Sequence, residues 1–401
     1  MVSVTQANDI ILQNLMQNFN EEVNILESSG RVLAESVFAE RDYPPFNRVT
    51  MDGIGINFDS YENGQRTFKI AGVHPAGAKP PVLTCIDDCF EVMTGSVCPA
   101  GVDCVIPVEL ISVDDGLATI VDESSNISRD WNIHQQGSDC KAGEELLTSG
   151  LLLDSTSVAV AASEGKEKVK VLKLPKIAVV SSGDELVGLA ENPEPWQIRR
   201  SNSYAIASEL EKLKLGDVEI FHIVDDKDDI AKTVGAILDD FDSVILSGAV
   251  SKGKFDFIPG VLEELEVEKL FHHVSQRPGK PFWFGKTKEG KPVFALPGNP
   301  VSAVTGFRRY IVPCILKSLG IKALNRKVKL TEEFTFKKDF TYFLPVKVSF
   351  NASTFEAVPA PVNGSGDFSA LALTDGFVEL PAEFEVFPVG MEVDYYPWNE
   401  Y

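Results

Sequence analysis

The central part of the chain, residues 175–320, alternates short apolar runs with segments whose apolar residues recur at helical spacing. Continuous apolar runs of this length are typical of strands buried on both faces of a parallel sheet. The predicted strands are Lys176–Val180, Val218–Val224, Val244–Leu246, Phe282–Phe284 and Val293–Leu296. The predicted helices are Ser201–Leu215, Asp228–Leu238, Ile258–Leu265 and Val301–Leu319. This alternation indicates an open, doubly wound α/β sheet.

The pattern before this region is mostly helical. Apolar residues at helical spacing predict one helix over Val4–Phe19 and a second amphipathic stretch over Glu21–Ala34. Leu151–Ala162 is either a short apolar helix or an extended segment, and Glu164–Lys173 is either a charged connector or a strand.

Two further regions consist of short strands separated by loops. Strands between Gly- and Pro-rich loops over residues 65–140 predict a small β-rich domain. A second series predicts a small C-terminal β-barrel or sandwich. Its strands are Lys327–Phe336, Tyr342–Phe350, Phe355–Pro359, Phe377–Leu380 and Met391–Tyr396.

The length of the chain bounds the number of domains, and its net charge disfavours some classes of binding partner. A chain of 401 residues is too long for one core, so two to four domains are expected. The net charge of -22 argues against nucleic acid or an anionic membrane surface as the main partner. No signal-peptide pattern and no apolar run of membrane-spanning length is seen, so we expect a cytoplasmic protein with no membrane contact.

The six cysteines include no CxxC pair, which agrees with a reducing compartment. Cys85, Cys89, Cys98 and Cys104 leave two interpretations open. They are free, partly buried thiols, or they hold a structural zinc ion at irregular spacing.

The segment Ser243–Phe257, SVILSGAVSKGKFDF, carries the first candidate site. An apolar strand, a small-residue loop and a helix in this order form a pocket for anions in open α/β sheets. Ser247, Gly248 and Ser251 lie in the loop, and Asp256 could hold a divalent cation against bound phosphates. The alternative is a tight turn without a ligand.

Four loops follow strands of the predicted sheet, and their residues should meet at one edge. Three of them carry Glu185, Asp225 and Asp256, the fourth is Pro297–Pro300, and Lys280 lies in a nearby PGK segment. Carboxylates gathered at one edge repel each other unless they hold Mg²⁺ or a similar hard cation. Alternatively, these acids are solvated helix caps.

The predicted β-rich domain and the loop after it offer three further polar candidates. Asp52 precedes Gly53 in a turn signal, and Thr94 lies at a strand end beside Gly95. Asp139 lies in a Gly-containing acidic loop that either faces a ligand or links two domains.

Several motifs taken together resemble the molybdopterin molybdenumtransferase family, called MoeA in bacteria and the gephyrin E-domain in animals. They are TMDG, MTGS followed by PAGVD, GSD-x3-GE, SSGDEL, SGAVSKGKFD, RPGKPF, LPGNPVSA and NGSGDFSALALTDGFVELP, and they span nearly the whole chain. The resemblance implies insertion of molybdenum from molybdate into adenylylated molybdopterin, with release of AMP and a need for Mg²⁺. It also implies a homodimer with its active site between subunits, and a molybdopterin adenylyltransferase as partner.

The resemblance further implies four domains. The expected divisions are an elongated N-terminal domain (1–46 with 140–173), the small β-rich domain (47–139), the α/β molybdopterin-binding domain (174–322) and a C-terminal β-barrel (323–401).

The family's functional positions carry over by motif. The expected catalytic residues are Asp52, Thr94, Asp139, Glu185, Asp225 and Asp256, of which Glu185 and Asp256 are the expected Mg²⁺ ligands. The expected substrate-binding residues are Ser182, Gly183, Ser247, Gly248, Ser251, Arg277, Lys280, Pro297, Gly298, Asn299 and Pro300, with Arg277 and Lys280 placed to bind molybdate or phosphate.

The chain departs from the family pattern at a few positions. Where members have an Ile-Tyr-Asp-Ser-Asn type run, this chain has Ile198-Arg199-Arg200-Ser201-Asn202, so an acid has become arginine. Ala249 replaces a glycine, and Lys254 replaces an acid. Two alternatives therefore stay open: a molybdopterin-binding paralogue or scaffold without insertion activity, and another nucleotide-dependent transferase on the same α/β module.

Overall fold

The computed structural model describes residues 1–122, 126–248, 250, 257–337, 339–351, 354–360, 364 and 366–399. The chain divides into two compact units. The larger unit comprises Met1–Ala34, Gly150–Ser155 and Lys168–Tyr401, and the smaller unit comprises Glu35–Ser149 and Thr156–Glu167. Among the described helices, none is both long and apolar enough to cross a membrane.

The elements are given in chain order. Up to residue 172 they are α1 (Val4–Leu12), β1 (Asn20–Asn24), β2 (Val37–Phe38), β3 (Arg48–Val49), β4 (Gly53–Ile56), α2 (Phe58–Glu62), β5 (Thr67–His74), β6 (Asp88–Val92), β7 (Cys104–Pro107), β8 (Ile111–Asp114), β9 (Leu117–Ile120), β10 (Ile133–His134), β11 (Glu145–Leu147), α3 (Ser155–Ser163) and β12 (Lys168–Leu172). The central elements are β13 (Lys176–Ser182), β14 (Leu186–Val187), β15 (Ile198–Arg199), α4 (Asn202–Lys212), β16 (Asp217–Ile223), α5 (Lys227–Asp240), β17 (Ser243–Ser247), α6 (Ile258–Glu264), β18 (Glu268–His272), β19 (Gln276–Arg277), β20 (Trp283–Lys286), β21 (Pro292–Leu296), α7 (Pro300–Gly306) and α8 (Val312–Ser318), with a π-helical turn, Phe307–Ile311, between the last two. The C-terminal elements are β22 (Arg326–Leu330), β23 (Phe334–Thr335), β24 (Thr341–Asn351), β25 (Thr354–Pro359), α9 (Ser369–Leu373), β26 (Gly376–Leu380), β27 (Val386–Phe387) and β28 (Glu392–Pro397).

A six-stranded sheet lies at the centre of the larger unit, in the order β16-β13-β17-β21-β20-β18. The first four strands are parallel, whereas β20 and β18 run antiparallel to their neighbours. Successive residues of β13 face opposite sides, since Ile177 and Val179 pack into one core cluster and Ala178 and Val180 into another. Helices α4 and α7 cover the first side, and α5 and α6 cover the second. The doubly wound α/β prediction is confirmed.

The C-terminal strands of the larger unit form a closed barrel. Strand β24 pairs with both β25 and β26, and the circuit closes through β22 and β28. Inward-facing residues such as Val328, Leu344 and Val378 fill its core. Of the two predicted alternatives, barrel and sandwich, the barrel is confirmed, and closure leaves none of its five strands as an open edge.

The predicted helices at the N-terminus are wrong in two respects. Helix α1 ends at Leu12 instead of continuing to Phe19, because the chain turns toward α8, where the Met16 backbone N–H donates to Ser318 Oγ at 3.1 Å. The expected second helix is replaced by strand β1 and a single 3₁₀ turn. Strand β1 pairs antiparallel with β12, and this pairing with a distant segment outweighs the local helical pattern. The extended alternative for the charged segment before residue 173 is thereby confirmed.

The smaller unit is built on a second six-stranded sheet, in the order β7-β4-β6-β5-β9-β8. Its core includes Ile54, Phe68, Cys89, Cys104 and Ile106, all fully buried. Two short antiparallel pairs, β3 with β10 and β2 with β11, complete the unit. The prediction of a small β-rich domain is confirmed.

Candidate active site

A large cavity lies in the larger unit at the carboxyl ends of the parallel strands. Its volume is about 1180 Å³, and the loops after β13, β16, β17 and β21 line it. Ligands of open α/β sheets bind at this edge. The predicted site residues that line the cavity are Ser182, Gly183, Glu185, Asp225, Ser247, Gly248, Pro297, Gly298, Asn299 and Pro300. The structure therefore brings most of the residues predicted in the α/β region to one place.

Two glycines allow the loops to pack closely at this edge. Gly248 has φ +106°, and a Cβ there would lie 2.4 Å from the carbonyl oxygen of Ser182. A Cβ on Gly183 would lie 2.6 Å from Oε2 of Glu185. The contact at Gly248 is with backbone, so only glycine lets the β13 and β17 loops approach this closely. Gly183 leaves room for the Glu185 carboxylate in its observed position.

The second carboxylate of the cavity, Asp225, is held by its neighbours. Ser182 Oγ donates to Asp225 Oδ1 at 2.6 Å, and the Asp225 backbone N–H donates to Asp184 Oδ1 at 3.0 Å. The next residue, Asp226, is the helix cap, because its side chain accepts from the backbone N–H groups of Asp228 and Asp229 at the start of α5. Of the two adjacent acids, one therefore caps a helix and the other lines the cavity.

Asn202 and Arg200 are among the cavity-lining residues that the predicted site did not include. Asn202 Nδ2 donates to Ser247 Oγ at 2.9 Å and to the Gly298 carbonyl at 2.8 Å, which ties α4 to two of the strand-end loops. Arg200 lines the cavity two residues earlier. Within the described residues, Asn202 Oδ1 and Arg200 Nε are buried and have no hydrogen-bond partner. The signal in the sequence was the RRSN run, where the chain departs from the family pattern.

Arg277 and Lys280 lie in a neighbouring, smaller cavity of about 400 Å³. The Arg277 guanidinium is 5.9 Å from the centroid of the Tyr342 ring, and Lys280 Nζ is 5.3 Å from that of the Phe340 ring. Aromatic faces stabilise cations at such distances, so both cations are held beside barrel residues. Pro297, Asn299 and Pro281 line both cavities, so the two cavities share one wall.

In the smaller unit, Asp52 and Thr94 form a tight pair. Asp52 Oδ1 accepts from the Thr94 backbone N–H at 2.6 Å and from the Thr94 hydroxyl at 2.7 Å. Both bonds lower the pKa of Asp52, because they stabilise the ionised carboxylate, and the bond from the backbone N–H has the larger effect.

Asp139 belongs to a different group in the smaller unit. Its Oδ1 lies 2.8 Å from His134 Nε2, and His134 Nδ1 lies 3.1 Å from the Arg48 guanidinium. Because Arg48 and His134 face each other across the β3–β10 pair, the three side chains form a line of polar contacts.

Some predicted positions lie outside the described residues. They are Ser251 and Asp256 of the predicted site, and the departures Ala249 and Lys254. Over the described part of the chain, no group of three or more His, Cys, Asp or Glu side chains is placed to hold a metal ion. The carboxylates that the large cavity does offer are Glu185 and Asp225, and oxygen donors of this kind are the ligands that Mg²⁺ prefers.

Of the four cysteines considered as zinc ligands, Cys89 and Cys104 are buried and Cys98 is partly buried. Burial raises the pKa values of Cys89, Cys98 and Cys104 to about 12, whereas Cys85 is exposed. These values describe the thiols without a metal ion, since a coordinated metal deprotonates a cysteine outright. Over the described residues, the cysteines belong to no group of three or more potential metal ligands.

Comparisons with known proteins cover the entire chain. Three family profiles match, described as MoeA N-terminal region (domain I and II) over residues 2–165, probable molybdopterin binding domain over 178–317, and MoeA C-terminal region (domain IV) over 327–398. A molybdopterin molybdenumtransferase from Synechocystis is 40% identical, and the match covers 99% of this chain and 100% of the relative. One from Staphylococcus epidermidis is 30% identical, with 98% of this chain and 94% of the relative covered.

Solved structures give the same result. The crystal structure of a molybdopterin biosynthesis MoeA protein from Pyrococcus horikosii matches with a TM-score of 0.85 and 30% identity, and the match covers 100% of both chains. A second MoeA structure, from Pyrococcus horikoshii OT3, has a TM-score of 0.79 and 26% identity, with 99% of this chain and 100% of that chain covered.

Proposed function

Because the chain belongs to the molybdopterin molybdenumtransferase family, we propose that it inserts molybdenum from molybdate into adenylylated molybdopterin and releases AMP. Its place as a transferase of molybdenum cofactor biosynthesis follows from the family. The proposal of molybdenum insertion with AMP release rests on the large cavity. Glu185 and Asp225 lie there among closely packed glycine-containing loops, at the edge of the sheet where open α/β sheets bind ligands.

In this proposal, the two adjoining cavities bind different parts of the substrates. The strand-end loops of the large cavity hold the nucleotide phosphates, and Arg277 and Lys280 bind molybdate in the smaller cavity. Support comes from the shared wall of Pro297 and Asn299, because an oxyanion in the smaller cavity would lie beside phosphates bound in the larger one. Positive charge at Arg277 and Lys280 stabilises the oxyanion and the charge that develops on bond cleavage.

A magnesium ion fits the donor set of the large cavity. Glu185 and Asp225 offer carboxylate oxygens, and Asp256 is proposed as a further ligand beside Glu185. Mg²⁺ is bound in many enzymes by one or two carboxylates together with substrate phosphates, so a cluster of three acids is not required. When bound, the ion supplies charge neutralisation at the phosphate oxygens.

The remaining proposals concern the assembly. We propose a homodimer in which Asp52, Thr94 and Asp139 of one subunit complete the site of the other. A molybdopterin adenylyltransferase is the proposed supplier of the substrate, because the adenylylated pterin must be made by an adenylyl transfer.

The test is AMP release by the purified protein given adenylylated molybdopterin, molybdate and Mg²⁺. Asp225→Asn should lower the rate by about 100-fold or more, the scale of losing a group that stabilises transition-state charge. Asp226→Asn is the matched control, since asparagine caps a helix as well as aspartate does and the rate should change less than about twofold.

Two results contradict the proposal. Equal rates for the two variants would remove Asp225 from the chemistry. Tight molybdopterin binding by the wild-type protein without AMP release would instead identify a binding paralogue.

A further inference from the structure

The structure assigns a phosphate-binding role to Arg200, in a subsite of the large cavity that takes the pyrophosphate or phosphate end of a nucleotide. The inference deepens the proposed function and rests on it for the identity of the nucleotide. It concerns a residue that the predicted site did not include.

The backbone places Arg200 at the cavity. Strand β15 pairs in parallel with β14, and the Arg200 backbone N–H donates to the Val187 carbonyl at 3.1 Å. The side chain passes close to Gly188, where a Cβ would lie 3.5 Å from Arg200 Nη2. Arg200 therefore lies among the residues that line the cavity, as do Glu185 and Asn202.

Within the described residues, Arg200 lacks the carboxylate partner that three other arginines of the larger unit have. Arg308 pairs with Glu209 at 2.5 Å, Arg309 pairs with Glu379 at 2.7 Å, and Arg31 pairs with Glu21 at 2.5 Å. Arg200 is half-buried, yet no described side chain accepts from its buried Nε, and it forms no ion pair with a described carboxylate. A donor such as Nε that is buried without an acceptor is unfavourable, so this position favours a bound anion that can accept from it.

Glu191, an acid of the same loop, contacts the backbone and forms no ion pair with Arg200. Glu191 Oε1 accepts from the Gly188 backbone N–H at 2.9 Å, which fixes its carboxylate on the backbone. A protein with a net charge of -22 has many acids that could neutralise an arginine, and this one is nevertheless left for a ligand. The planar guanidinium fork matches phosphate oxygens in geometry as well as in charge.

Asn202 adds a second unused group beside Arg200. Its amide nitrogen is committed to Ser247 and Gly298, while its buried oxygen Oδ1 has no partner in the described part of the chain. A donor and an acceptor that are both unsatisfied, in one cavity and two residues apart, fit a ligand that carries an anion and a hydroxyl or amino group. A nucleotide has this combination.

The neighbouring arginine provides a matched control. Arg199 also borders the cavity, but its Nε donates to the Leu189 carbonyl at 3.0 Å and its Nη2 to the Glu191 carbonyl at 3.0 Å. Arg199→Met and Arg200→Met therefore remove the same charge from adjacent positions, and only the second removes an arginine without a partner.

The experiment is a calorimetric titration of the full-length protein with inorganic pyrophosphate in the presence of Mg²⁺. We expect Arg200→Met to weaken binding by about 10- to 100-fold, as for loss of hydrogen bonds to a charged group, and Arg199→Met to change it by less than about twofold. Arg200→Lys keeps the charge without the fork and should fall between wild type and Arg200→Met. Melting temperatures of all variants show that each is folded.

The outcomes separate this inference from the proposed function. Equal affinities for the two methionine variants, or no pyrophosphate binding by wild type, would overturn the role of Arg200 even if AMP release is observed. Selective loss of pyrophosphate binding in Arg200→Met would support it even if the wild-type protein releases no AMP.

Discussion

The contact between Thr94 and Asp52 fixes the ionisation of one carboxylate in the smaller unit. Both Thr94 donors reach the same oxygen, Oδ1. The second oxygen keeps its lone pairs, so Asp52 can serve as an ionised acceptor for a ligand while Oδ1 holds it in place. The role of the Thr94 side chain is therefore to hold Asp52 in place and keep it ionised.

We predict that Thr94→Val raises the pKa of Asp52 toward its usual range, because it removes the hydroxyl donor and leaves the backbone donor. The folded-state pKa of Asp52 lies below the unfolded one. The resulting stabilisation is therefore fully present above the unfolded pKa, about 3.9, and is lost as the pH falls through the folded pKa. The stability difference between wild type and Thr94→Val should shrink over this window. Carbon-detected NMR titration of labelled aspartate measures the pKa directly.

Thr94→Ser is the control for this titration, because serine keeps both donors and should leave the pKa of Asp52 lowered. Asp52→Asn assigns the resonance. An Asp52 carboxyl that titrates identically in wild type and Thr94→Val would show that the hydroxyl contributes nothing.

The secondary-structure elements that could be predicted from sequence are those with a clear pattern of apolar residues within the element itself. Strands β13 and β17 are continuous apolar runs, and their parallel pairing, with β16 beside β13, brings Glu185, Asp225 and Ser247 to one edge. Strand β1 could not be predicted, because it is stabilised by pairing with β12, far along the chain. Arg200 was missed for a different reason, since the two-residue strands β14 and β15 carry no periodic signal.

An ion pair that sequence patterns do not predict connects the barrel to the last helices of the α/β region. Arg309, in the π-helical turn before α8, donates to Glu379 of β26 at 2.7 Å, and Tyr396 of β28 donates to the same carboxylate oxygen at 3.1 Å. Both members of the ion pair are largely buried. This network joins the last helices of the α/β region to the barrel wall.

We predict that Glu379→Ala destabilises the protein by about 3–5 kcal/mol, because it leaves the Arg309 guanidinium buried without its counterion. Glu392→Ala is the matched control, since Glu392 pairs with Lys327 at an exposed position of the same barrel. An exposed pair contributes about 0–1 kcal/mol. Urea denaturation of the three proteins measures the difference, and equal midpoints for the two variants would contradict the structural role of Glu379.

For the molecule as a whole, the candidate residues are distributed over two compact units. Asp52, Thr94 and Asp139 belong to the smaller unit, and Glu185 and Asp225 belong to the larger one. In the proposed dimer, each active site takes Asp52, Thr94 and Asp139 from one chain and Glu185 and Asp225 from the other. This arrangement can be tested without a structure of the assembly.

We predict that two inactive variants, Asp52→Asn and Glu185→Gln, restore activity when they assemble together. In a mixed dimer, one site would contain both substitutions and the other neither, provided that sites are shared between subunits. Random assembly of equal amounts makes about half of the dimers mixed, so AMP release should recover to about a quarter of the wild-type rate in a symmetric dimer. The control pairs Asp52→Asn with the double variant, which leaves no intact site. If differently tagged chains co-purify as mixed dimers and still release no AMP, each site is built from a single chain and the shared-site proposal is wrong.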